Sequence, residues 1–466
     1  MTDWQKERFS SSRGHQRFLK VSAAARRANS EENRRGNVRG LKGYFGMARQ
    51  INISSSLRCR PLIAKERPAL YPIYFRGNAV SVDRRLYTFD RVFDQRSKNE
   101  KIFKELVFDK IDDLIQGYNV AFMTYGPTKT GKSYTMGTFY NRQKEIKDPG
   151  IIPRTVREIF KRIRKDEQYS VKVSFVEVIY EEVYDLLVDP TVERVVKEND
   201  ARDAFEIECL LEITTQTANE ALDVLAKGIS TRSGIANFAK NLRSPRAHLL
   251  YTLTLEVRQN NLPVRVSKMH FVEIGTAERV SSPEPRRQKK PRGRPLQGLV
   301  TFNKIINNLT MDKKILPYRE SKLTSILKET LGGNCITVLI VCVSNVYGKT
   351  ESSVEPIRIS STARRVINKP IINALNPEEQ RRFIEREAEN NERRQEAERN
   401  ANKRKNKGDD AVAGPSCSGD ATFRSISEER EIDYLYVPGA SSESTPEQID
   451  EDYEDDDPHG TIIFLK

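Results

Sequence analysis

The chain has few cysteines and no long apolar run. Its 466 residues include five cysteines, which form no C-x-x-C pair and no regular framework, and this argues for a reducing compartment. No stretch approaches about 18 consecutive apolar residues, and the first fifty residues are basic and polar without an apolar core. The sequence therefore predicts no membrane span and no secretory signal, and a soluble cytosolic or nuclear protein is expected.

Charge is distributed unevenly along the chain. Residues 408–466 hold sixteen Asp and Glu against Arg424, Arg430 and Lys466, a net charge of −13. Since the whole chain carries +14, residues 1–407 carry +27. A body with this charge is attracted over long range to an acidic polymer, either a nucleic acid or an acidic protein surface, and the acidic tail would oppose that attraction.

Three segments have too few apolar residues for a core of their own. Residues 1–50 predict a disordered basic arm, and residues 408–466 predict a disordered acidic tail. A neck and a charged helix are predicted over 371–407, because Asn376-Pro377-Glu378-Glu379 combines an N-cap residue, proline at the first helical position and acid in the first turn. The helix has no sustained heptad stripe, so a dimerising coiled coil is not expected.

Residues 51–370 alternate β-branched apolar runs with helical stretches. The apolar runs include Val171–Ile179, Leu249–Val257 and Cys335–Val343, and the helical stretches include Asn99–Gln116 and Thr217–Gly228. Because predicted strands and helices interleave, the expected class is an α/β domain with a central sheet.

An eight-residue loop matches the phosphate-binding pattern G-x-x-x-x-G-K-[ST]. Its residues are Gly126, Pro127, Thr128, Lys129, Thr130, Gly131, Lys132 and Ser133, and the apolar run Gly117–Tyr125 leads directly into it. Glycines at both ends let backbone N–H groups close around phosphate oxygens, Lys132 can meet the β and γ phosphates, and Ser133 can ligate Mg²⁺. A strand before the loop is the context this motif requires, so the sequence predicts a nucleotide site.

Several further segments resemble the kinesin motor domain. Leu316–Asn334 contains P-Y-R-E-S-K-L-T, which is similar to the kinesin pattern P-Y-R-[DE]-S-K-L-T, and Gly126–Met136 resembles the kinesin loop G-Q-T-x-x-G-K-[ST]-x-T-M. Arg58–Leu62 is similar to R-x-R-P-L, Tyr87–Phe93 to F-D-x-V-F, and Phe175–Leu187 to E-I-Y-N-E-x-x-x-D-L-L. With two switch segments, these matches follow the family's order across residues 52–370. The chain is identified as a divergent member of the kinesin family.

The resemblance implies a three-layer α/β fold of the P-loop NTPase type with a mostly parallel eight-stranded sheet. ATP and Mg²⁺ would bind at one end of the sheet and microtubules on the other face, and the acidic surface of tubulin would explain the basic body. The implied location is the cytoplasm and cytoskeleton. Ile357–Val366 is similar to a run in the mitotic cytokinesis kinesins, which adds the spindle as an alternative.

The resemblance also implies roles for single residues. The implied adenine contacts are Arg58, Arg60 and Pro61, with Tyr134 stacked on the base. Lys132 and Ser133 keep the phosphate and Mg²⁺ roles. Tyr318, Arg319 and Lys322 would lie at the start of a helix that touches the microtubule. For Tyr318 a core contact is an equally good interpretation.

Two switch segments depart from the kinesin patterns. Where kinesins have N-x-x-S-S-R-S-H, residues 241–248 are N-L-R-S-P-R-A-H, so Pro245 removes a serine hydroxyl and a backbone N–H. Where kinesins have D-L-A-G-S-E-R, residues 273–279 are E-I-G-T-A-E-R. Glu273 can still serve Mg²⁺ but reaches one methylene further, and Thr276 replaces a glycine that must change conformation.

The catalytic roles implied by the family fall on Ser244, Arg246, Glu273 and Glu278. Arg246 and Glu278 match the salt bridge that closes over the γ-phosphate and orders the attacking water. Because that pair is kept while Pro245 and Thr276 alter phosphate donors, nucleotide binding should survive better than hydrolysis.

A basic loop covers residues 280–295, with six Lys and Arg against Glu284. The favoured interpretation is a tubulin contact through Arg292 and Arg294. Pro291–Pro295 also matches the core of the AT-hook, a peptide that lies in the minor groove of A·T-rich DNA, and the neighbouring basic run could be a nuclear import signal. A solvated loop without a partner is the remaining alternative.

Three classes of function remain. The first is an ATP-driven microtubule motor, the second a microtubule-binding scaffold with a slow or dead nucleotide cycle, and the third a chromatin or spindle adaptor that uses the basic segments. The family resemblance favours the first class, and the switch substitutions favour the second.

Overall fold

A computed structural model describes the central body of the protein. The described residues are 49–140, 146–163, 168–179, 181–188, 193–199, 204–238, 247–275, 297–347, 350–385, 387–389 and 391–392. The predicted disorder of the basic arm and of the acidic tail concerns residues that lie almost wholly outside these ranges. Those two expectations, and the four segment boundaries, stay predictions.

The strands follow the apolar runs of the sequence. They are β1 (Ile51–Asn52), β2 (Ser54–Arg60), β3 (Tyr74–Arg76), β4 (Ala79–Val82), β5 (Arg85–Thr88), β6 (Arg91–Phe93), β7 (Val120–Tyr125), β8 (Gln168–Ile179), β9 (Glu182–Asp185), β10 (Val196–Asn199), β11 (Ala204–Ile207), β12 (Ile213–Thr215), β13 (His248–Gln259), β14 (Leu262–Glu273), β15 (Ile336–Ser344) and β16 (Ile367–Asn368). The three long runs singled out in the sequence correspond to β8, β13 and β15, so those strands are confirmed.

The helices interleave with these strands. They are α1 (Asn99–Ile102), α2 (Lys110–Gln116), α3 (Lys132–Met136), α4 (Ile151–Arg162), α5 (Ala218–Phe238), α6 (Gln297–Thr310), α7 (Lys322–Ile326) and α8 (Thr350–Ala363). A π-helical turn, Phe103–Val107, follows α1, so the helix predicted over Asn99–Gln116 is interrupted. The helix predicted over Thr217–Gly228 continues to Phe238. No helix in the described ranges is long and apolar enough to cross a membrane.

The main sheet has the strand order β12-β8-β13-β14-β7-β15-β2-β6, with β9 paired to β8 as a ninth strand. The pairs from β14 to β6 are parallel, and those among β12, β8, β13 and β14 are antiparallel. Six of the eight strands along this path therefore run in one direction. The predicted central sheet of about eight strands is confirmed, and it is a mixed sheet with a parallel half from β14 to β6.

Both faces of the sheet are buried. Along β7, Phe122 packs with α1, α2, α4 and α5 on one face, while Met123 packs with α6, α7 and α8 on the other. The same alternation occurs at Phe271 and Val272 of β14. Because successive strand residues point to opposite faces, a strand covered on both sides must be apolar throughout, which explains the continuous runs in the sequence.

After α8 the chain lies along the body as an extended segment. Strand β16 pairs with β1 in antiparallel register. Beyond it, the Lys369 N–H donates to the Gly333 carbonyl, that of Asn373 to Gly117 and that of Leu375 to Val264, each at 2.9 Å. These bonds carry residues 367–375 across the edge of the body to the start of the next helix.

The next helix, called the charged helix below, covers residues 377–385, 387–389 and 391–392. The Asn376 Oδ1 atom accepts hydrogen bonds from the backbone N–H groups of Glu378 at 3.1 Å and Glu379 at 2.9 Å. The Glu379 carboxylate in turn accepts from the Asn376 N–H at 2.9 Å. This is a capping box, and it confirms the predicted helix start.

The charged helix packs on β8 and β13 through a partly buried cluster of four charges. Lys172 of β8 forms ion pairs with Glu256 of β13 and, at 2.6 Å, with Glu387 of the helix. Arg258 reaches the same two carboxylates at 3.0 and 3.1 Å. Burial alone would lower the pKa of Lys172, but the charges of Glu256 and Glu387 outweigh it and raise that pKa. Two cations and two anions therefore balance where the helix meets the sheet.

Candidate nucleotide site

The phosphate-loop motif connects the end of β7 to the start of α3. Gly126 has φ of +135°, and a Cβ atom there would lie 2.2 Å from the Cys342 carbonyl oxygen of the neighbouring strand, so only glycine fits. Gly131 has φ of +93° and precedes Lys132, the first residue of α3. The non-glycine Lys129 also has a positive φ, +63°. The loop thus bends sharply between the sheet and a helix N-terminus.

The Lys132 side chain is buried inside the loop. Its Nζ atom donates to the carbonyl oxygens of Gly126 at 2.9 Å and Pro127 at 2.8 Å. The Thr130 hydroxyl also donates to the Pro127 carbonyl, at 2.7 Å. The ammonium group is therefore held at the centre of the loop, where it can meet a phosphate.

Ser133 and Glu273 meet although they are 140 positions apart in the sequence. Strand β14 is parallel to β7, with Glu273 in register with Thr124, so its last residue lies beside the phosphate loop. The Ser133 hydroxyl donates to one carboxylate oxygen of Glu273, and the Thr138 hydroxyl donates to the other at 2.8 Å. A hydroxyl and a carboxylate are hard oxygen donors of the kind that suit Mg²⁺ with phosphates. The predicted metal residues are thus brought together, and their chemistry fits the ion.

The residues expected to line the adenine occupy two different positions. The Arg58 side chain is buried, and its guanidinium donates to Asn99 at 2.7 Å and to Thr135 at 2.5 Å. The Arg58 Cζ atom lies 5.0 Å from the ring centroid of Tyr134. Tyr134 itself is 44% exposed. Arg58 thus packs against the tyrosine ring, and its contact with the base stays a prediction. The predicted stacking of Tyr134 on the base stays a prediction.

Arg60 fastens the phosphate loop from the side. Its Nε atom donates to the Lys129 carbonyl at 2.6 Å, and its guanidinium pairs with the Glu66 carboxylate through both terminal nitrogens. Pro61 accepts a hydrogen bond from Arg60 through its carbonyl oxygen, at 2.7 Å. These contacts hold Lys129 in its positive-φ conformation next to the place predicted for the base.

Three residues that the sequence did not assign take part in the site. Thr138 holds Glu273. Asp148 accepts a hydrogen bond from the Tyr134 hydroxyl at 3.1 Å. His248 accepts one through Nδ1 from the Gly275 N–H at 3.0 Å, joining the starts of β13 and the second switch. Burial, with a smaller contribution from Lys132, lowers the pKa of His248 to about 4, so the ring is neutral. Only His248 had a signal, its place at the end of the first switch pattern.

Only part of the two switch segments lies within the described residues. Glu273 and Gly275 are described, while Ser244, Pro245, Arg246, Thr276 and Glu278 lie outside the described residues. The basic loop, with Arg292 and Arg294, also lies outside them. Their roles stay predictions.

The other residues expected at the microtubule surface lie in the turn before α7 and at its first residue. Tyr318 is 9% exposed, and its hydroxyl donates to the Leu331 carbonyl, so the core interpretation is correct and the surface contact is not. The Arg319 side chain is 77% exposed and pairs with Glu198. Lys322 is partly exposed, and its backbone N–H donates to Glu181 at 2.6 Å. Of these three residues, Arg319 and Lys322 present charge to solvent.

The parallel strands end at a glycine-flanked loop with a buried lysine, and a serine–carboxylate pair lies beside it. Together these features define a nucleotide-binding protein of the P-loop NTPase class. Comparison with known proteins narrows this class. A family model for the kinesin motor domain matches residues 76–366. The chain belongs to the kinesin family.

Individual relatives agree with the family match. The chain is 33% identical over 339 residues to mouse chromosome-associated kinesin KIF4, and 34% identical over 340 residues to human KIF4A; each alignment covers 69% of this chain and 27% of the relative. It is 31% identical over 350 residues to KIF11-B of Xenopus laevis, covering 69% and 33%. The chain thus spans about a third or less of the length of these relatives.

A solved structure has the same fold. It is described as the structure of a fast kinesin, with implications for ATPase mechanism and interactions with microtubules. The TM-score is 0.62 at 30% sequence identity, and the match covers 70% of this chain and 95% of the other. This likeness confirms the predicted kinesin-type fold.

Proposed function

We propose that this chain is a kinesin-type ATPase that binds ATP with Mg²⁺ and attaches to microtubules, and that its hydrolysis is slow. The observation that carries the proposal is the meeting of Ser133 and Glu273 beside the buried ammonium of Lys132. This arrangement offers a cation for phosphate oxygens, a hydroxyl for the metal and a carboxylate to orient that hydroxyl.

Each of these groups has a defined part in binding. Lys132 supplies a point charge to the β and γ phosphates, and the backbone N–H groups at the start of α3 add dipoles of the same sign. The Ser133 hydroxyl donates its hydrogen to Glu273, so the lone pairs of the Ser133 oxygen point away from that carboxylate. Mg²⁺, when bound, would neutralise phosphate charge. Tyr134, backed by Arg58 and tied to Asp148, would cover the base.

The slow rate is inferred from the sequence of the switches. Pro245 and Thr276 each stand where the family has a residue that contacts the γ-phosphate region, and loss of one positioned donor typically lowers a rate by about 10²–10³. Arg246 and Glu278 are retained and could still order the attacking water. We therefore expect a residual turnover rather than none.

Microtubule-stimulated ATP turnover of the full chain tests this proposal. Reverting both switch positions, Pro245→Ser with Thr276→Gly, should raise turnover at least on the order of 10²–10³-fold. A matched control is Arg382→Ala, an exposed change on the charged helix, which should leave the rate unchanged. If the unmodified chain already turns over tens of times per second, the slow-hydrolysis part of the proposal is wrong.

Attachment to microtubules is proposed to depend on exposed charge. Arg319 is 77% exposed, Lys322 lies next to it, and residues 1–407 carry a net charge of +27. Co-sedimentation should weaken as the screening length falls from about 10 Å at 0.1 M salt to about 3 Å at 1 M. Arg319→Ala should weaken it further, and removal of residues 408–466 should strengthen it. Constant binding across this salt range would contradict the electrostatic basis.

Two other functions are distinguished by the same measurements. A non-motile scaffold at the cytoskeleton or spindle would bind microtubules without stimulated turnover, and Pro245 and Thr276 favour it. A nuclear or chromatin adaptor is favoured by Pro291–Pro295 and by the name chromosome-associated kinesin carried by several relatives. DNA binding that disappears when residues 286–295 are deleted would support the adaptor.

A further inference from the structure

The carboxylate of Glu273 is fixed through both of its oxygen atoms. One oxygen accepts a hydrogen bond from Ser133 and the other from Thr138. Glu273 and Thr138 are 8% and 5% exposed, so water has little access to either group. A buried carboxylate needs hydrogen-bond donors, and here two hydroxyls on the same short helix and its following turn provide them.

The turn after α3 brings Thr138 back to Ser133. Gly137 ends the helix with φ of +91°, and the backbone N–H groups of Gly137 and Thr138 both donate to the Ser133 carbonyl, at 2.8 and 3.1 Å. A Cβ atom at Gly137 would lie 2.7 Å from Pro153, so glycine is required at this turn. The backbone therefore places the Thr138 hydroxyl within reach of the same carboxylate as the Ser133 hydroxyl.

Glutamate needs such support more than aspartate would. Its side chain has one more rotatable bond, so holding its carboxylate in one orientation removes more conformational freedom. An oxygen bonded to Thr138 cannot rotate away, and the other oxygen then stays aligned with the Ser133 hydroxyl. Without the second bond, the long side chain could turn, and the hydrogen of Ser133 would lose its fixed acceptor.

We propose that Thr138 is a positioning residue, which holds Glu273 so that the Ser133 hydroxyl oxygen faces the Mg²⁺ of a bound nucleotide. The inference rests on the proposed function, because it concerns the same metal and nucleotide. Thr138 acts through Glu273 and Ser133 and does not itself touch the ligand. Its effect should therefore appear in the Mg²⁺-dependent part of nucleotide affinity.

The test compares Thr138→Val, which keeps the shape and removes the hydroxyl, with Thr138→Ser, which keeps the hydroxyl. Affinity of the full chain for a fluorescent ADP analogue is measured in Mg²⁺ and in EDTA. Because one buried hydrogen bond is lost, Thr138→Val should bind about three- to tenfold more weakly in Mg²⁺ and unchanged in EDTA. Thr138→Ser should match the unmodified chain in both conditions.

Equal weakening with and without Mg²⁺ would overturn the proposal, as would no weakening at all. Thermal unfolding without nucleotide checks that each variant is folded. If Thr138→Val does not fold, the Glu273→Asp background replaces it: aspartate is too short to be held from Thr138, so Thr138→Ser and Thr138→Ala should there have equal affinities in Mg²⁺. Unequal affinities in that background would overturn the proposal. A chain that binds the analogue in neither condition would instead overturn the proposed function.

Discussion

The phosphate loop and the contact of the charged helix both bury charged groups, but they draw on different parts of the chain. Within the loop, Lys132 is held by the Gly126 and Pro127 carbonyls, six and five positions away. At the charged helix, Lys172 pairs with Glu387, 215 positions away. The first arrangement follows from one short motif, while the second exists only when the sheet and the helix are assembled. Changes in the loop should therefore affect a ligand, and changes in the cluster should affect folding.

The largest effect is expected from Glu256→Gln. Glu256 is fully buried between Lys172 and Arg258, so removing its charge leaves two cations opposite Glu387 alone. Breaking a buried ion pair in this way typically costs about 3–5 kcal/mol of unfolding free energy. Urea unfolding of the full chain measures this loss. The control is Glu355→Gln in the exposed pair with Arg358, for which about 0–1 kcal/mol is expected. Equal losses in the two variants would contradict the assignment.

The corresponding change in the phosphate loop is Lys132→Ala. Removing a charge-assisted contact to phosphate should weaken ATP binding on the order of 100-fold. Titration with a labelled ATP analogue measures this, and urea unfolding without nucleotide should change little compared with Glu256→Gln. Lys129→Ala, an exposed lysine in the same loop, is the matched control and should have a smaller effect. Unchanged affinity in Lys132→Ala would show that the nucleotide site is assigned wrongly.

Lowering the pH should separate the two regions further. Burial lowers the pKa of His248 to about 4 and that of His270 to about 3, so both are neutral in the fold and charge more easily when unfolded. Their stabilising contribution is complete above about pH 6.5 and is lost as the pH falls toward these values. Below about pH 6.5, each histidine should lower the free energy of unfolding by about 1.4 kcal/mol per pH unit.

Urea unfolding between pH 7 and pH 5 measures this slope, and His270→Gln should reduce it. The cluster of four charges under the charged helix should lose no stability between pH 7 and pH 5. Burial alone would raise the pKa of Glu387, but Lys172 and Arg258 outweigh it and hold that pKa below its usual value. Glu387 therefore stays ionised at pH values where an ordinary glutamate begins to protonate. Hydrogen exchange in the charged helix that rises between pH 7 and pH 5, corrected for its intrinsic pH dependence, would contradict this expectation.

The smallest effect is expected from Glu387→Gln. This carboxylate is 25% exposed and lies at the edge of the cluster, so its loss should weaken only the contact of the charged helix, by about 1 kcal/mol. Amide exchange in residues 377–389 should become about fivefold faster while the sheet is unaffected. Glu389→Gln, exposed on the same helix, should have no effect. Faster exchange throughout β8 and β13 would mean that the contact is not local.

The sequence predicted those features that depend on neighbouring residues. The phosphate loop follows from the spacing of Gly126, Gly131, Lys132 and Ser133, because backbone N–H groups and a lysine within eight positions suffice to form it. The capping box at Asn376 is equally local. The apolar runs of β8, β13 and β15 predicted buried strands, because both faces of the central sheet are covered.

Only the tertiary structure decided which side chains face inward at the ends of these elements. Arg58 lies beneath Tyr134, and Tyr318 enters the core, because the packing of α3 and of α6 against the sheet sets their directions. Thr138 meets Glu273 across 135 positions through the parallel register of β7 and β14. Strand pairing between distant segments is governed by the energy of the whole sheet, and a single sequence carries no local signal for such contacts.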